Sequence, residues 1–560
     1  MRKPSHAISQ ATLSFCLALY VGGMLNAAVL YRHSVSGSLT EFFGTGLAAL
    51  AVIALTYALF SLLALAGQWT YRLGTSLVLL FSAAASYYMT FFNVVIGYGV
   101  VISVLTTDTD LSKEALGYKF FIWMACTALL PILGIFRARL SHDFYSQVRG
   151  RWRGVPALSL LLLSIAISIS SLKAIETIKK NQASAKNEYI ASPSGIVAHS
   201  YLPTNWMAGL GLYFFQMVNG DRTSHHLLNP AKIFKYAEST PMDDTYVVFI
   251  IGETTRSDHV GLLGYHRNTT PLLAKETNLV ALNGIACDTA TKLSLRCMFV
   301  REGGVEDNAQ RTLKERNIFA VLKALGFTSE LFSMQSEVWF YNSIDADSYE
   351  IREVIASANV DKNKPTDDML LVDELEKSIN RYPKGKHLIV LHTKGSHFLY
   401  SQRYPAEFSR YVPECTGIDA ACTKAQLVNS FDNSVLYVDH VMKRTIDTLR
   451  EKDAIIFYAA DHGESIGEAS HFHATPRAMA PEEQFKVPFF VWASDRFLDS
   501  PGRAAGFAQL RAMQMENKRQ RHEELFDSVL GCLGYSSPDG GINPRNNWCH
   551  TKSKMAAHGS

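Results

Sequence analysis

Between residues 284 and 300 the chain reads GIACDTATKLSLRCMFV, where Cys287 and Cys297 bracket three hydroxyls, Thr289, Thr291 and Ser294. A hydroxyl becomes a nucleophile near neutral pH when a base or a divalent metal lowers its pKa. Groups able to do this follow three apolar runs elsewhere. YVVFII (246–251) leads into Gly252-Glu253-Thr254-Thr255-Arg256, and AIIFYA (454–459) leads into Ala460-Asp461-His462-Gly463-Glu464-Ser465. HLIVL (387–391) leads into His392-Thr393-Lys394-Gly395-Ser396-His397. Glu253, Asp461, His462 and His397 offer the oxygen and imidazole ligands that zinc takes, with a position left open in catalytic sites. An Asp-His pair after a strand is more often a cap or a surface turn. Its joint occurrence with Glu253 and a bracketed hydroxyl points to a metal-assisted transferase or hydrolase. The residues by themselves do not choose among Thr289, Thr291 and Ser294.

Such groups must be brought together by the elements that carry them. The three runs and PFFVW (488–492) are of strand length, and charged segments with helical spacing lie between them, such as DDMLLVDELEKSI (367–379). Continuous apolar strands alternating with helices predict an α/β domain whose mainly parallel sheet is covered on both sides. In such sheets functional groups gather beyond the carboxyl ends of the strands.

The N-terminal part has another character. Five apolar stretches run roughly over 11–31, 44–67, 74–95, 117–136 and 155–175. Each is near the ~20 residues that cross a bilayer as a helix. Arg2 and Lys3 precede the first stretch, and Arg137, Arg139, Arg149, Arg151 and Arg153 follow the fourth, whereas TTDTDLSKE between the third and fourth is mostly acidic. The positive-inside bias predicts a cytoplasmic N-terminus, an uncleaved first anchor, and export of everything after residue 175. The cysteines agree with export. Cys16 and Cys126 lie within spans, while Cys287, Cys297, Cys415, Cys422, Cys532 and Cys549 fall in the exported part, an even number in close pairs that reads as three disulfides. The expected organisation is a transmembrane domain over 1–175, a connector over 176–235 and a catalytic domain over 236–560. Within the connector, NWMAGLGLYFFQMV (205–218) suits a helix lying at the membrane interface or packed on the soluble domain. A formal net charge of +3 gives no footprint for nucleic acid.

The segments GETTRSDH, CDTATKLSLRCMF, HTKGSH and ADHGES…HFH resemble the phosphoethanolamine transferases of Gram-negative envelopes, and the likeness runs over essentially the whole chain. It implies an inner-membrane protein with five spans and a periplasmic domain of alkaline-phosphatase/sulfatase type. ASYYMTFFNVVIGYG and CDTATKLSLRCMFV look like the branch that modifies the Kdo sugar of lipopolysaccharide. By this resemblance Thr291, the second threonine of Cys-x-Thr-x-Thr, is the nucleophile. It would accept phosphoethanolamine from phosphatidylethanolamine and pass it to Kdo2-lipid A in a ping-pong cycle. One or two zinc ions are implied, with Glu253, Thr291, Asp461 and His462 as ligands. His397 and His473 match histidines that contact the phosphoryl group or a second metal. Asp288 and Arg296 stand where the family commonly has Gly and Pro. Ser103, Thr107 and Leu111 stand where lipid A-modifying members often have Asn, Thr and Glu. A lysine near the substrate phosphate in those relatives appears as Trp339, while Ser336 matches a neighbouring serine. These departures imply a different acceptor.

Other readings are transfer to a lipid A phosphate, a phosphoglycerol transferase, a phosphodiesterase or a sulfatase. The sulfatase motif Cys-x-Pro-x-Arg is absent. A non-catalytic scaffold or transporter fits poorly with spans almost free of charge and a full set of ligands.

Overall fold

A computed structural model describes residues 7–35, 38–106, 115–140, 155–186, 193–223, 227–239, 241–301, 315–351, 354–355, 367–418, 421–468 and 470–551. Thr107, Leu111, Arg2, Lys3, Arg149, Arg151 and Arg153 lie outside these residues. The chain divides into two compact units. One comprises Met1–Ile102 and Ala115–Phe215, the other Ser103–Glu114 and Gln216–Ser560.

In the first unit, five helices among the described residues are long and apolar enough to cross a membrane: Gln10–Val35, Leu39–Leu65, Gln68–Phe91, Tyr118–Arg137 and Leu158–Lys180. Leu62, Phe81, Phe121, Leu130 and Leu163 point outward from them, a surface that suits lipid better than water. Their ends and irregularities have local causes. Ser38 and Glu41 form a reciprocal capping box at the start of Leu39–Leu65. Pro131 has no N–H to give the carbonyl of Thr127, and the Tyr20 hydroxyl donates to that oxygen instead, at 2.9 Å. The turn before Pro131, Ala125–Leu129, widens to π geometry. The run 205–218 is helical, inside Thr204–Thr223.

The second unit is built on an eight-stranded sheet. Its strands in chain order are β1 (Thr245–Gly252), β2 (Leu279–Ile285), β3 (Thr328–Ser333), β4 (Ser348–Glu350), β5 (His387–His392), β6 (Asp453–Ala460), β7 (Lys486–Ala493) and β8 (Gln520–Arg521). Their spatial order is β8-β2-β7-β6-β1-β5-β3-β4. All pairings are parallel except the two made by β7, which is antiparallel to β2 and β6. β1 and β5 are buried along their whole length, as their unbroken apolar sequence requires when both faces are covered. Helices Met369–Arg381 and Lys424–Leu449 contribute to that cover. The four strand runs read from the sequence are β1, β5, β6 and β7. The three that lead into chemistry-bearing residues are adjacent and parallel, so their carboxyl ends open on one side. β7 runs the other way, which explains why PFFVW leads into no such group.

Candidate active site

β1 lies between β5 and β6, and its end is tied to both neighbours. Asp461 N–H donates to Gly252 O at 2.9 Å, Thr393 N–H to Ile251 O at 3.0 Å, and Ser396 N–H to Glu253 O at 2.9 Å. Gly395 has φ of +47°, and a Cβ there would sit 2.7 Å from the Glu253 carbonyl oxygen. Only glycine permits so close a pass, and the pass brings His397 toward the end of β1.

Glu253 is fully buried. Its Oε2 accepts from Gln335 Nε2 at 2.7 Å and from Thr291 Oγ1 at 3.2 Å. Its Oε1 has no hydrogen-bond partner. Asp461 accepts the backbone N–H of His462 at 2.8 Å and of Thr254 at 3.3 Å through Oδ1, while its buried Oδ2 also lacks a partner. His462 Nδ1 lies 2.9 Å from the Gly463 carbonyl, which can only accept. The ring proton is therefore on Nδ1, and the Nε2 lone pair faces inward. Nε2 is 3.2 Å from Thr291 Oγ1, 3.4 Å from Asp461 Oδ2 and 3.5 Å from Glu253 Oε1. Two carboxylates, an imidazole lone pair and a hydroxyl thus converge on one point. Burial, reinforced by Asp461, raises the Glu253 carboxyl well above the usual range, and burial lowers His462. Two unpartnered buried carboxylate oxygens and an inward imidazole nitrogen fit a divalent metal of zinc's type.

The three hydroxyls of the disulfide loop differ in what they face. Thr289 Oγ1 donates to the Thr475 carbonyl at 2.6 Å, and Ser294 Oγ donates to the Asp288 carbonyl at 3.0 Å. Thr291, first residue of the helix Thr291–Cys297, alone among them points at Glu253 and His462. Cys287 and Cys297 are joined, as are Cys415 with Cys422 and Cys532 with Cys549. Cys16 and Cys126 are free.

His473 lies beside this group, its ring centroid 4.3 Å from that of His462 and 5.5 Å from that of His397. Ligand atoms of Glu253, His462 and His473 fall within 4.8 Å of one another, a group that could hold a metal ion. His473 Nδ1 is 3.4 Å from Glu464 Oε2. Burial pushes His473 down to about 4 and raises Glu464 well above the carboxylate range. His397, half-buried with an inaccessible and unpartnered Nδ1, is held well below its ordinary value by desolvation and by the nearby His473 and Arg403. Ser336 sits in the turn after β3, next to Gln335, and its carbonyl accepts the Val338 N–H at 2.8 Å.

Two members of the site were not singled out from the sequence. Gln335 follows β3, whose run TSELFS is interrupted by Ser329 and Glu330 and does not read as a core strand. Glu464 stands inside the quoted segment ADHGES, and its place after the strand-ending Asp-His pair was the available signal.

The sulfatase family matches residues 245–535, and the family described as phosphoethanolamine transferase EptA/EptB matches residues 52–202. The chain is 52% identical over 548 residues to the Kdo(2)-lipid A phosphoethanolamine 7''-transferase of Escherichia coli K12, covering 97% of both chains. It is 50% identical to the protein of the same name from Salmonella typhimurium, with 97% of each covered. Its fold matches the integral membrane lipooligosaccharide phosphoethanolamine transferase A of Neisseria meningitidis at a TM-score of 0.82, with 24% identity over 97% of this chain and 99% of that one.

Proposed function

The chain belongs to the phosphoethanolamine transferases, and from that premise we propose that it transfers phosphoethanolamine from phosphatidylethanolamine to the Kdo sugar of lipopolysaccharide. The two relatives at 52% and 50% identity carry Kdo(2)-lipid A in their names, which supports this acceptor. The observation that carries the mechanism is the 3.2 Å separation of Thr291 Oγ1 from both Glu253 Oε2 and His462 Nε2. Thr291 is the nucleophile. Glu253, Thr291, Asp461 and His462 would hold zinc, which when bound would favour the ionised hydroxyl and draw charge from the phosphoryl oxygens.

In the first half-reaction Thr291 Oγ bonds to phosphorus and the bond from phosphorus to the diacylglycerol oxygen breaks. The threonine proton leaves along the contact to Glu253 and ends on the diacylglycerol oxygen, so no net proton is gained or lost. In the second, the sugar oxygen bonds to phosphorus, the bond from phosphorus to Thr291 Oγ breaks, and the sugar proton ends on Thr291 Oγ. His397, His473 and Glu464 line the phosphoryl position, and His397 with His473 can alternatively serve a second metal. Thr107 and Ser336 are assigned to substrate contact on the resemblance alone.

Positive-inside bias and the three disulfides of the C-terminal part support a cytoplasmic N-terminus and a periplasmic catalytic unit in the inner membrane. The acceptor is tested by incubating purified protein with phosphatidylethanolamine and either Kdo2-lipid A or lipid A without Kdo. The expected product is a phosphoethanolamine adduct of the first alone. Modification of lipid A at a phosphate would overturn the Kdo assignment.

A further inference from the structure

The helix that begins at Thr291 carries two cations on one face, Lys292 and, one turn later, Arg296. Both lie against one indole: Lys292 Nζ is 5.5 Å and the Arg296 guanidinium carbon 5.1 Å from the Trp339 ring centroid. Lys292 is only 8% exposed. Among the described residues its ammonium has no hydrogen bond or ion pair. Burying a cation this way is unfavourable unless something of opposite charge arrives.

The matching acid is close by. Glu337 Oε2 accepts from Trp339 Nε1 at 2.6 Å, and its other oxygen has no partner among the described residues. Glu337 and Lys292 feel each other's charge, yet they do not close into an ion pair. The turn that carries Glu337 also carries Gln335, the residue bonded to Glu253.

An unpaired base and an unpaired acid, held apart by an aromatic ring beside the nucleophile, complement a small zwitterion. We infer that Lys292, Arg296, Glu337 and Trp339 form the donor headgroup subsite. Lys292 and Arg296 face the phosphoryl oxygens, and Glu337, aimed by the Trp339 N–H, takes the ethanolamine ammonium. This rests on the donor reading above and deepens it, because it assigns the residue that separates an ethanolamine lipid from one with a neutral headgroup. A charged ammonium can pair with Glu337, whereas a neutral headgroup leaves that carboxylate unpaired.

The test compares turnover of two fluorescent lipids by the purified full-length protein in detergent, with saturating Kdo2-lipid A as acceptor. One is phosphatidylethanolamine and the other phosphatidylpropanol, in which a methyl replaces the ammonium. Wild type should prefer the first. Glu337→Gln, nearly the same shape and still able to accept from Trp339, should lower kcat/KM for phosphatidylethanolamine about tenfold or more and leave that for the second lipid equal or higher, since no carboxylate is then left unpaired. Lys292→Met should lower both by similar factors and keep their ratio. Three results would overturn the inference: equal losses on both lipids in Glu337→Gln, a wild type indifferent to the ammonium, or Lys292→Met with full activity on both. Failure of wild type to cleave phosphatidylethanolamine at all is a different outcome. It would remove the donor reading itself.

Discussion

At Glu253 a carboxylate without solvent contact accepts from Gln335 and Thr291 through one oxygen and is left without a partner at the other. Gln335 Nε2 also donates to the Thr393 carbonyl at 2.9 Å, so both amide hydrogens are engaged and the amide fixes the carboxylate in turn. Groups that orient a metal ligand in this way typically account for 10–100-fold in metal affinity. Gln335→Ala should therefore weaken zinc binding by about that factor, as read by competition with a chromophoric chelator, with Thr291 still in place. Removing the metal with a chelator should lower the melting temperature as well as stop turnover, because the converging carboxylates then repel. Zinc should restore both. An unchanged melting temperature would count against a metal between Glu253, Asp461 and His462. The same residues show what a sequence discloses at this scale. Glu253, Asp461 and His462 were legible because each follows an unbroken apolar run. Gln335 was not, because the strand before it buries an acid. Glu330 accepts from Ser378 Oγ at 2.5 Å, from Ser348 Oγ at 3.0 Å and from Arg381, and that neutralisation is visible only in three dimensions.

The elements around the site are pinned by more than the sheet. The segment carrying His473 is tied to the nucleophile loop through Ala474 N–H to Thr289 O at 2.6 Å. The amide of buried Gln484 donates to Ser465 Oγ, Phe472 O and Thr475 Oγ1 at 3.0, 3.2 and 3.1 Å. Phe472 and Ala474, on either side of His473, have φ of +71° and +63°, and Thr254 beside Glu253 has +50°. Non-glycine residues in this region carry strain that surrounding contacts must hold, and here those contacts converge on the site. Replacing Cys287 and Cys297 together by alanine should cost about 2–3 kcal/mol on loop-closure grounds. It should also lower activity more than removal of Cys415–Cys422, because the first pair closes the loop that bears Thr291. Equal activity in the two double variants would contradict that. A pH effect belongs to this scale too. Asp368 accepts the backbone N–H groups of Lys394 and Gly395 at 2.7 and 2.9 Å, and burial raises its carboxyl to about 6 from an ordinary 3.8. Its folded-state pKa lies above the unfolded one, so its contribution to stability is full below about 3.8 and is lost as pH rises through about 6. Denaturant titrations should show this downward slope in wild type and a shallower one in Asp368→Asn, where Asp439, also raised to about 6 by burial, still contributes. The reversal of β7 could not be read from the sequence, since an apolar run has the same period in either direction.

At the scale of the whole molecule, the five apolar helices were the most legible feature, because about twenty residues of unbroken hydrophobicity leave few alternatives. The six cysteines of the C-terminal part were legible for a related reason, since their number and spacing already implied pairing. Orientation rests on basic residues that lie mostly outside the described part of the structure. If Gln216–Ser560 is periplasmic, protease added to intact spheroplasts should degrade that region, whereas inverted vesicles should protect it. The reverse pattern would place the catalytic unit in the cytoplasm. The central claim is that Thr291 carries the group in transit. It is tested most directly by peptide mass spectrometry of zinc-loaded protein incubated with phosphatidylethanolamine and no acceptor. The account predicts a phosphoethanolamine adduct on the peptide spanning 284–300, localised to Thr291 and absent from Thr291→Ala. Cleavage of the lipid with no adduct, or an adduct on Thr289 or Ser294, would contradict it.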